Sequence, residues 1–135
     1  MKKASVLFEL LISFVILTLL ITVLMISYKS VIYRVSLNNE TAFLKRFLEY
    51  AQDYAITYQV ETSWEQLDRI YIVKKDTGEV LKKHHMPKPL LIDKTKVVFN
   101  ARLKPGKGIT IVLSTAKRQN RIVIDPSTGR IRVMD

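Results

Sequence analysis

A single carboxylate stands at the edge of the most apolar part of this 135-residue sequence. Glu9 directly precedes 19 consecutive uncharged residues, Leu10 to Tyr28, which are rich in leucine, isoleucine, valine and phenylalanine. A charged group at the centre of a bilayer costs about 2.5 to 3.5 kcal/mol, so this carboxylate needs either a partner or a shallow position. In the first turns of a helix near the interface, the helix dipole also favours a negative charge. Glu9 is therefore a candidate functional group, and a shallow interfacial position is the simpler explanation for it.

The other groups that could do chemistry are mostly basic and lie in the C-terminal half. They form three clusters: Lys82-Lys83-His84-His85-Lys88, Lys104-Lys107 and Lys117-Arg118-Arg121. Such clusters attract a polyanion, and we expect Lys117, Arg118 and Arg121, on a loop between strands, to be the first contacts to nucleic acid. The simpler interpretation is a solvated basic surface, or one that faces anionic cell-wall polymer.

Composition excludes several kinds of chemistry. The sequence has no cysteine, so disulfides, thiolate nucleophiles and cysteine-ligated zinc are excluded. The adjacent His84 and His85 would point to opposite faces of an extended segment, and no third ligand is near in sequence, so we expect no metal site. Neither a phosphate-cradling glycine loop nor a nucleophile elbow is present. We therefore expect a protein that is not an enzyme and that holds no cofactor.

The element that must position Glu9 is a membrane-spanning helix. At about 1.5 Å per residue, the uncharged run gives roughly 28 Å of helix, enough to cross a bilayer core. A cleaved secretory signal is the alternative, but the run exceeds the usual length of about 7–15 residues and no small-x-small site follows it. The basic residues on either side, Lys2 and Lys3 before it and Lys29 and Arg34 after it, leave its orientation undecided.

The helical pattern continues beyond the membrane segment. Apolar residues at helical spacing form one stripe: Leu44, Phe47, Leu48, Ala51, Ala55 and Tyr58. We therefore predict a helix from about Ser5 to about Thr57 whose second half is amphipathic. Its buried face, beginning near Ala42, should complete the core of the domain that follows, because roughly 78 residues bury too little apolar surface alone.

The C-terminal part contains all the glycines and prolines of the sequence, and this pattern predicts short strands joined by turns. Three hairpins are expected, pairing 69–73 with 79–82, 95–103 with 108–115, and 120–124 with 130–133, around turns at 75–78, 104–107 and 125–129. Trp64, the only tryptophan, is expected in the core. The predicted fold class is α+β, a long N-terminal helix packed on a small antiparallel β-sheet.

The N-terminus resembles the class III signal of type IV prepilins and pseudopilins. The matching pattern is Lys2-Lys3-Ala4, then Ser5 to Glu9, then the apolar run. The resemblance implies that a prepilin peptidase cuts between Ala4 and Ser5 and that the new N-terminus, Ser5, is methylated. It also implies that Glu9 meets the new amine of a neighbouring subunit and sets the assembly register. Two residues depart from the family pattern, since glycine is commoner before the cut and phenylalanine is usual where this chain has Ser5.

A second resemblance extends over nearly the whole chain. In order and spacing, the segments 48–59, 84–92, 96–114 and 120–133 are similar to the ComGD family of competence minor pseudopilins, which is related to the H-type minor pseudopilin of type II secretion. The implied organisation is a leader peptide over 1–4, a transmembrane half over 5–28, an amphipathic half over 29–57 and a sheet-forming head over 58–135.

The resemblance also implies a function and partners. We expect a type IV pilin-like minor subunit of a pseudopilus for DNA uptake, assembled with other major and minor pseudopilins by a platform membrane protein and an assembly ATPase. The chain would cross the membrane once, with its N-terminus in the cytoplasm and its head outside, and would reach the cell surface when assembled. The alternatives are a minor pseudopilin of type II secretion and an uncleaved, membrane-anchored basic binding module.

Overall fold

A computed structural model describes residues 2–88, 90–93, 96–101 and 108–134, with the side chains of residues 2–4 outside that description. Helix α1 runs over Lys2–Tyr58. Its 57 residues contain neither glycine nor proline, the two residues that most disfavour a helix interior. Gln59 ends the helix in the left-handed region, at φ 54°, and the amide of Val60 donates to the Ala55 carbonyl at 3.2 Å. This bond is the closing hydrogen bond of a Schellman C-cap.

Eight strands follow the helix and form two antiparallel four-stranded sheets. Sheet A contains β1 (Thr62–Leu67), β2 (Ile70–Lys75), β3 (Val80–His85) and β5 (Lys96–Phe99), in the order β3-β2-β1-β5. Sheet B contains β4 (Leu91–Ile92), β6 (Ile109–Ser114), β7 (Gln119–Ile124) and β8 (Ile131–Met134), in the order β4-β6-β7-β8. The predicted α+β class, a long N-terminal helix on a small antiparallel sheet, is confirmed, with the strands divided between two sheets.

Two of the three predicted hairpins form. The β2–β3 connection closes through the amide of Gly78, which donates to the Lys75 carbonyl at 2.9 Å. The β7–β8 connection closes in the same way between Gly129 and the Asp125 carbonyl at 2.8 Å. Both glycines have positive φ, 85° and 69°, a conformation that residues with a Cβ rarely adopt.

The remaining predicted hairpin is wrong, because its two strands belong to different sheets. β5 pairs with β1, where Val97 lies opposite Trp64, whereas β6 pairs with β4 and β7. Strands β1 and β4 were not predicted, and they supply the edges with which β5 and β6 pair. The predicted turn at 104–107 and the ends of its flanking segments, at 95 and 102–103, lie outside the described residues.

The core lies between the second half of α1 and the two sheets. Five of the six predicted stripe residues are buried, namely Leu44, Phe47, Leu48, Ala51 and Ala55. Tyr58 was wrongly placed in the stripe, because it ends the helix and is 61% exposed. The buried face begins earlier than predicted, at Leu37, and Ala42 is itself exposed. Trp64 is fully buried, as predicted.

The chain separates into two compact units, Met1–Arg34 and Val35–Asp135. In the first unit, every described side chain from Ser5 to Arg34 is exposed. The second unit contains the strands and the buried half of α1. The predicted boundaries at 4/5, 28/29 and 57/58 concern processing and membrane position, and they stay predictions.

Candidate functional site

Glu9 lies in α1, on a surface made almost entirely of apolar side chains. Its neighbours Leu7, Phe8 and Leu10 are each at least 66% exposed. No ion pair involves Glu9 among the described side chains. The described part of the chain contains one helix long and apolar enough to cross a membrane, with a mean hydropathy of 2.8 over its most apolar 18 residues. The arrangement therefore presents a single carboxylate on an exposed apolar helix.

The few hydroxyls along this part of α1 are hydrogen-bonded to the helix itself. Ser13 Oγ donates to the carbonyl of Glu9 at 2.9 Å, and Thr22 Oγ1 donates to that of Thr18 at 2.8 Å. Thr18 and Ser27 bond in the same way to the carbonyls of Val15 and Val23. Polar groups in lipid must find partners inside the protein, and these hydroxyls meet that requirement. Glu9 is then the one described side chain between Ser5 and Tyr28 that carries a charge.

The predicted processing residues lie in the first turns of α1. Ser5 is helical and exposed. The backbone of Ala4 is helical too, while its side chain is outside the described part of the chain. Cleavage between the two, and methylation of Ser5, stay predictions.

The three predicted nucleic-acid contacts lie at one end of sheet B and all are exposed. Lys117 and Arg118 occupy the turn between β6 and β7, which is closed by the amide of Thr115 donating to the Arg118 carbonyl at 2.7 Å. Arg121 is not on the loop where it was expected. It lies within β7, opposite Val112 and Met134, on the face away from buried Asn120 and Ile122. Of the other basic clusters, Lys104 and Lys107 lie outside the described residues.

The predicted pair His84 and His85 is divided between the two faces of β3. His84 is half-buried against α1, with its ring stacked on Phe43 at 3.8 Å between centroids, whereas His85 is exposed. No group of three potential metal ligands occurs among the described residues. Sequence reasoning missed the residue that His84 faces, Glu40 on α1, at 3.2 Å. The sequence signal for it was position alone, because Glu40 lies three residues after Leu37 and four before Leu44, on the same face of the helix.

A groove of about 300 Å³ lies between α1 and sheet B. Its floor is polar, because Asn120 Nδ2 donates to Asn38 Oδ1 at 3.1 Å and to Thr41 Oγ1 at 3.2 Å. Thr41 Oγ1 in turn donates to the Leu37 carbonyl at 2.7 Å. Its lining residues are Asn38, Thr41, Ala42, Lys45, Arg46, Glu49, Asn120 and Val133. This hydrogen-bond network joins β7 to the helix.

Together these elements define the type IV pilin fold, a long N-terminal helix packed on a small antiparallel sheet domain. Two crystal structures of the type IV minor pilin FimU from Pseudomonas aeruginosa share it. One matches with a TM-score of 0.66 over 76% of this chain and 90% of FimU, and the other with 0.64 over 73% and 93%. Both are 18% identical in sequence, so the likeness is one of fold. No protein-family model and no curated protein matches the sequence.

Proposed function

We propose that this chain is a minor pseudopilin, a structural subunit of a competence pseudopilus that takes up DNA in natural transformation, and that it is not an enzyme. One observation supports the proposal most strongly. A single helix is exposed and apolar from Ser5 through Val35, apart from a few polar positions, and becomes the core of a small antiparallel domain from Leu37 onward, in the fold of a type IV minor pilin. Such a helix suits insertion in a membrane first and packing among other helices in a filament later.

Glu9 would act at the assembly step. After cleavage between Ala4 and Ser5, the new and methylated N-terminus of a neighbouring subunit supplies an amine. An amine and a carboxylate are each costly in lipid, and they offset one another only when subunits stack in one register. Pairing one end of a subunit with a different surface of the next gives head-to-tail, helical assembly.

The same proposal implies a location and a set of partners for the chain. It crosses the cell membrane once, with its N-terminus in the cytoplasm and its head outside, and reaches the cell surface in the assembled pseudopilus. Its partners are the prepilin peptidase, other major and minor pseudopilins, the platform membrane protein and the assembly ATPase.

Mass spectrometry of the protein extracted from membranes tests the processing. Loss of residues 1–4 and a methyl group on Ser5 are expected when an active prepilin peptidase is present. Protein from cells that lack the peptidase is the control and should begin at Met1 or Lys2. An intact N-terminus in cells with an active peptidase would refute assembly through Glu9 and leave the alternative of an uncleaved, membrane-anchored basic module.

Deletion of the gene distinguishes competence from secretion. We expect transformation to fall to the level of a strain without a pseudopilus, with protein export unchanged and transformation restored by the wild-type gene. Normal transformation together with defective export would instead identify a minor pseudopilin of type II secretion.

Lys117, Arg118 and Arg121 are proposed as the direct contacts of the head to DNA. They are exposed at one end of sheet B, and residues 58–135 carry 16 Lys and Arg against 8 Asp and Glu. Each lysine or arginine that neutralises a phosphate releases counterions, so affinity depends on salt.

Replacing all three by glutamine should weaken duplex binding at low salt and reduce the slope of log affinity against log salt by about 3, roughly one for each phosphate contact. The matched control removes three exposed cations elsewhere, namely Arg46, Lys83 and Lys88. Equal losses in the two variants would show that only the net charge of the head matters.

A further inference from the structure

A buried acid and a half-buried histidine join helix α1 to the edge strand β3. Glu40 Oε1 lies 3.2 Å from His84 Nε2. The Glu40 side chain is 7% exposed and that of His84 is 28% exposed. A carboxylate this deeply buried is rare unless it is paired. The proposed pilus function gives this pair no role.

The surroundings of the pair are aromatic. Tyr71 lies opposite His84 in the β2–β3 register, and the ring of Phe43 stacks on the imidazole. Within the described part of the chain, Glu40 Oε1, His84 Nε2 and the Tyr71 hydroxyl are buried and make no hydrogen bond of good geometry. The contact between Glu40 and His84 is therefore electrostatic, in a place where little water screens it.

Two further cations share the inward face of sheet A. Lys82 lies on β3 with its Nζ 4.8 Å from the centre of the Tyr50 ring. Arg69 precedes β2, and its Nη1 is buried without a hydrogen-bond partner among the described residues. Neither lies within ion-pair distance of Glu40 in the described structure. His84 is thus the one basic side chain within ion-pair distance of Glu40 in the described structure.

Burial raises the pKa of Glu40 above its ordinary value of 4.5, although His84 and Tyr71 oppose that rise. Burial, together with Glu40, also raises the pKa of the Tyr71 hydroxyl, which therefore stays neutral at physiological pH. While Glu40 and His84 share one proton, the pair is neutral overall, wherever the proton lies. When that proton leaves, a buried carboxylate remains without a counter-charge, which is strongly unfavourable.

We infer that Glu40 and His84 form a pH-sensitive latch that fastens edge strand β3 to helix α1. A raised pKa in the folded state means that the stabilising contribution of Glu40 is complete below pH 4.5 and is lost as pH rises through the folded value. The latch is therefore closed in mild acid and loosens in alkali.

Urea unfolding of the full-length chain in detergent micelles, followed by Trp64 fluorescence between about pH 5 and 9, tests the latch. The unfolding equilibrium constant of the wild type should rise about tenfold or more across this range, the size expected for a neighbouring charge. Glu40→Gln and His84→Gln should each flatten the profile, and the double variant should resemble either single variant. The matched control is His85→Gln, one residue along the same strand but exposed, and it should keep the wild-type profile.

Hydrogen exchange of the wild type supplies a measurement that needs no variant to fold. After correction for the intrinsic effect of pH, β3 amides should lose protection in alkali by a larger factor than β7 amides. A wild-type profile without pH dependence would overturn the latch, as would additive effects in the double variant or an equal change in His85→Gln. None of these outcomes bears on pilus assembly, which concerns residues before Tyr28.

Discussion

Replacing Phe47 by alanine should remove much of the stability of the C-terminal unit. Phe47 is 1% exposed and lies in the middle of the buried face of α1. Its ring centre is 5.6 Å from that of Phe43 and 6.3 Å from that of Tyr71, and Lys82 Nζ lies 5.7 Å from it. One side chain therefore contacts its own helix and two strands of sheet A.

The magnitude follows from what the substitution removes. Truncating a buried phenylalanine to alanine costs about 3 to 5 kcal/mol, the transfer free energy of the lost atoms plus that of the cavity. A domain is stable by only about 5–15 kcal/mol, so a large fraction of the total would be lost. Phe47→Leu, which leaves a smaller cavity, should lie between the wild type and Phe47→Ala.

Urea unfolding of the full-length chain in detergent micelles measures the effect, because Trp64 is the only tryptophan and is fully buried. Tyr58→Ala is the matched control, another aromatic residue on the same helix but 61% exposed, and it should cost less than about 0.5 kcal/mol. If Phe47→Ala cost less than about 1 kcal/mol, or no more than Tyr58→Ala, the buried face of α1 would not contribute to the core of the domain as expected.

Three further outcomes are expected. Glu9→Val should leave membrane insertion intact but weaken co-purification with other pilins, whereas Ser13→Ala should not; unchanged co-purification would contradict pairing through Glu9. Hydrogen bonds from Lys74 and Lys96 lower the pKa of Glu65, so its contribution is present above pH 4.5 and lost as pH falls through the folded value. Glu65→Gln should therefore reduce the acid sensitivity of urea unfolding by less than about 1 kcal/mol. Asn120→Ala should lower stability by about 1–3 kcal/mol in the same assay, because Asn38 Oδ1 and Thr41 Oγ1 lose the hydrogen bonds that Asn120 donates.

The helix was predictable because two strong signals agree along it. The absence of glycine and proline indicates one long helix, and the spacing of Leu44, Phe47 and Ala51 indicates that its second half is buried on one face. Glu40 and Thr41 were not predicted to be buried, because hydrophobic periodicity cannot identify polar residues that find partners inside. Their burial depends on His84 and Asn120, which lie far away in the sequence.

Strand pairing was harder to predict than strand existence. β1 reads Thr-Ser-Trp-Glu-Gln-Leu, with only two strongly apolar residues, yet Thr62 and Trp64 both point inward and are fully buried. Thr62 can be buried because its hydroxyl donates to the Ala51 carbonyl at 2.7 Å. Without β1, the adjacent segments that contain β5 and β6 look like a hairpin. Local turn residues identify a hairpin only when no other strand supplies a better edge.

The candidate site at Glu9 differs from the core in whether its polar group finds a partner within the same chain. Three buried polar residues have a nearby partner within the chain: His84 for Glu40, Ala51 for Thr62, and Asn38 and Thr41 for Asn120. The Glu9 carboxylate has no charged partner among the described side chains. A charge deep in a bilayer costs about 2.5 to 3.5 kcal/mol, and a single subunit reduces that cost by keeping Glu9 shallow. A cation from another molecule offsets that cost when assembly carries Glu9 deeper, so Glu9 is where we expect a second chain to bind.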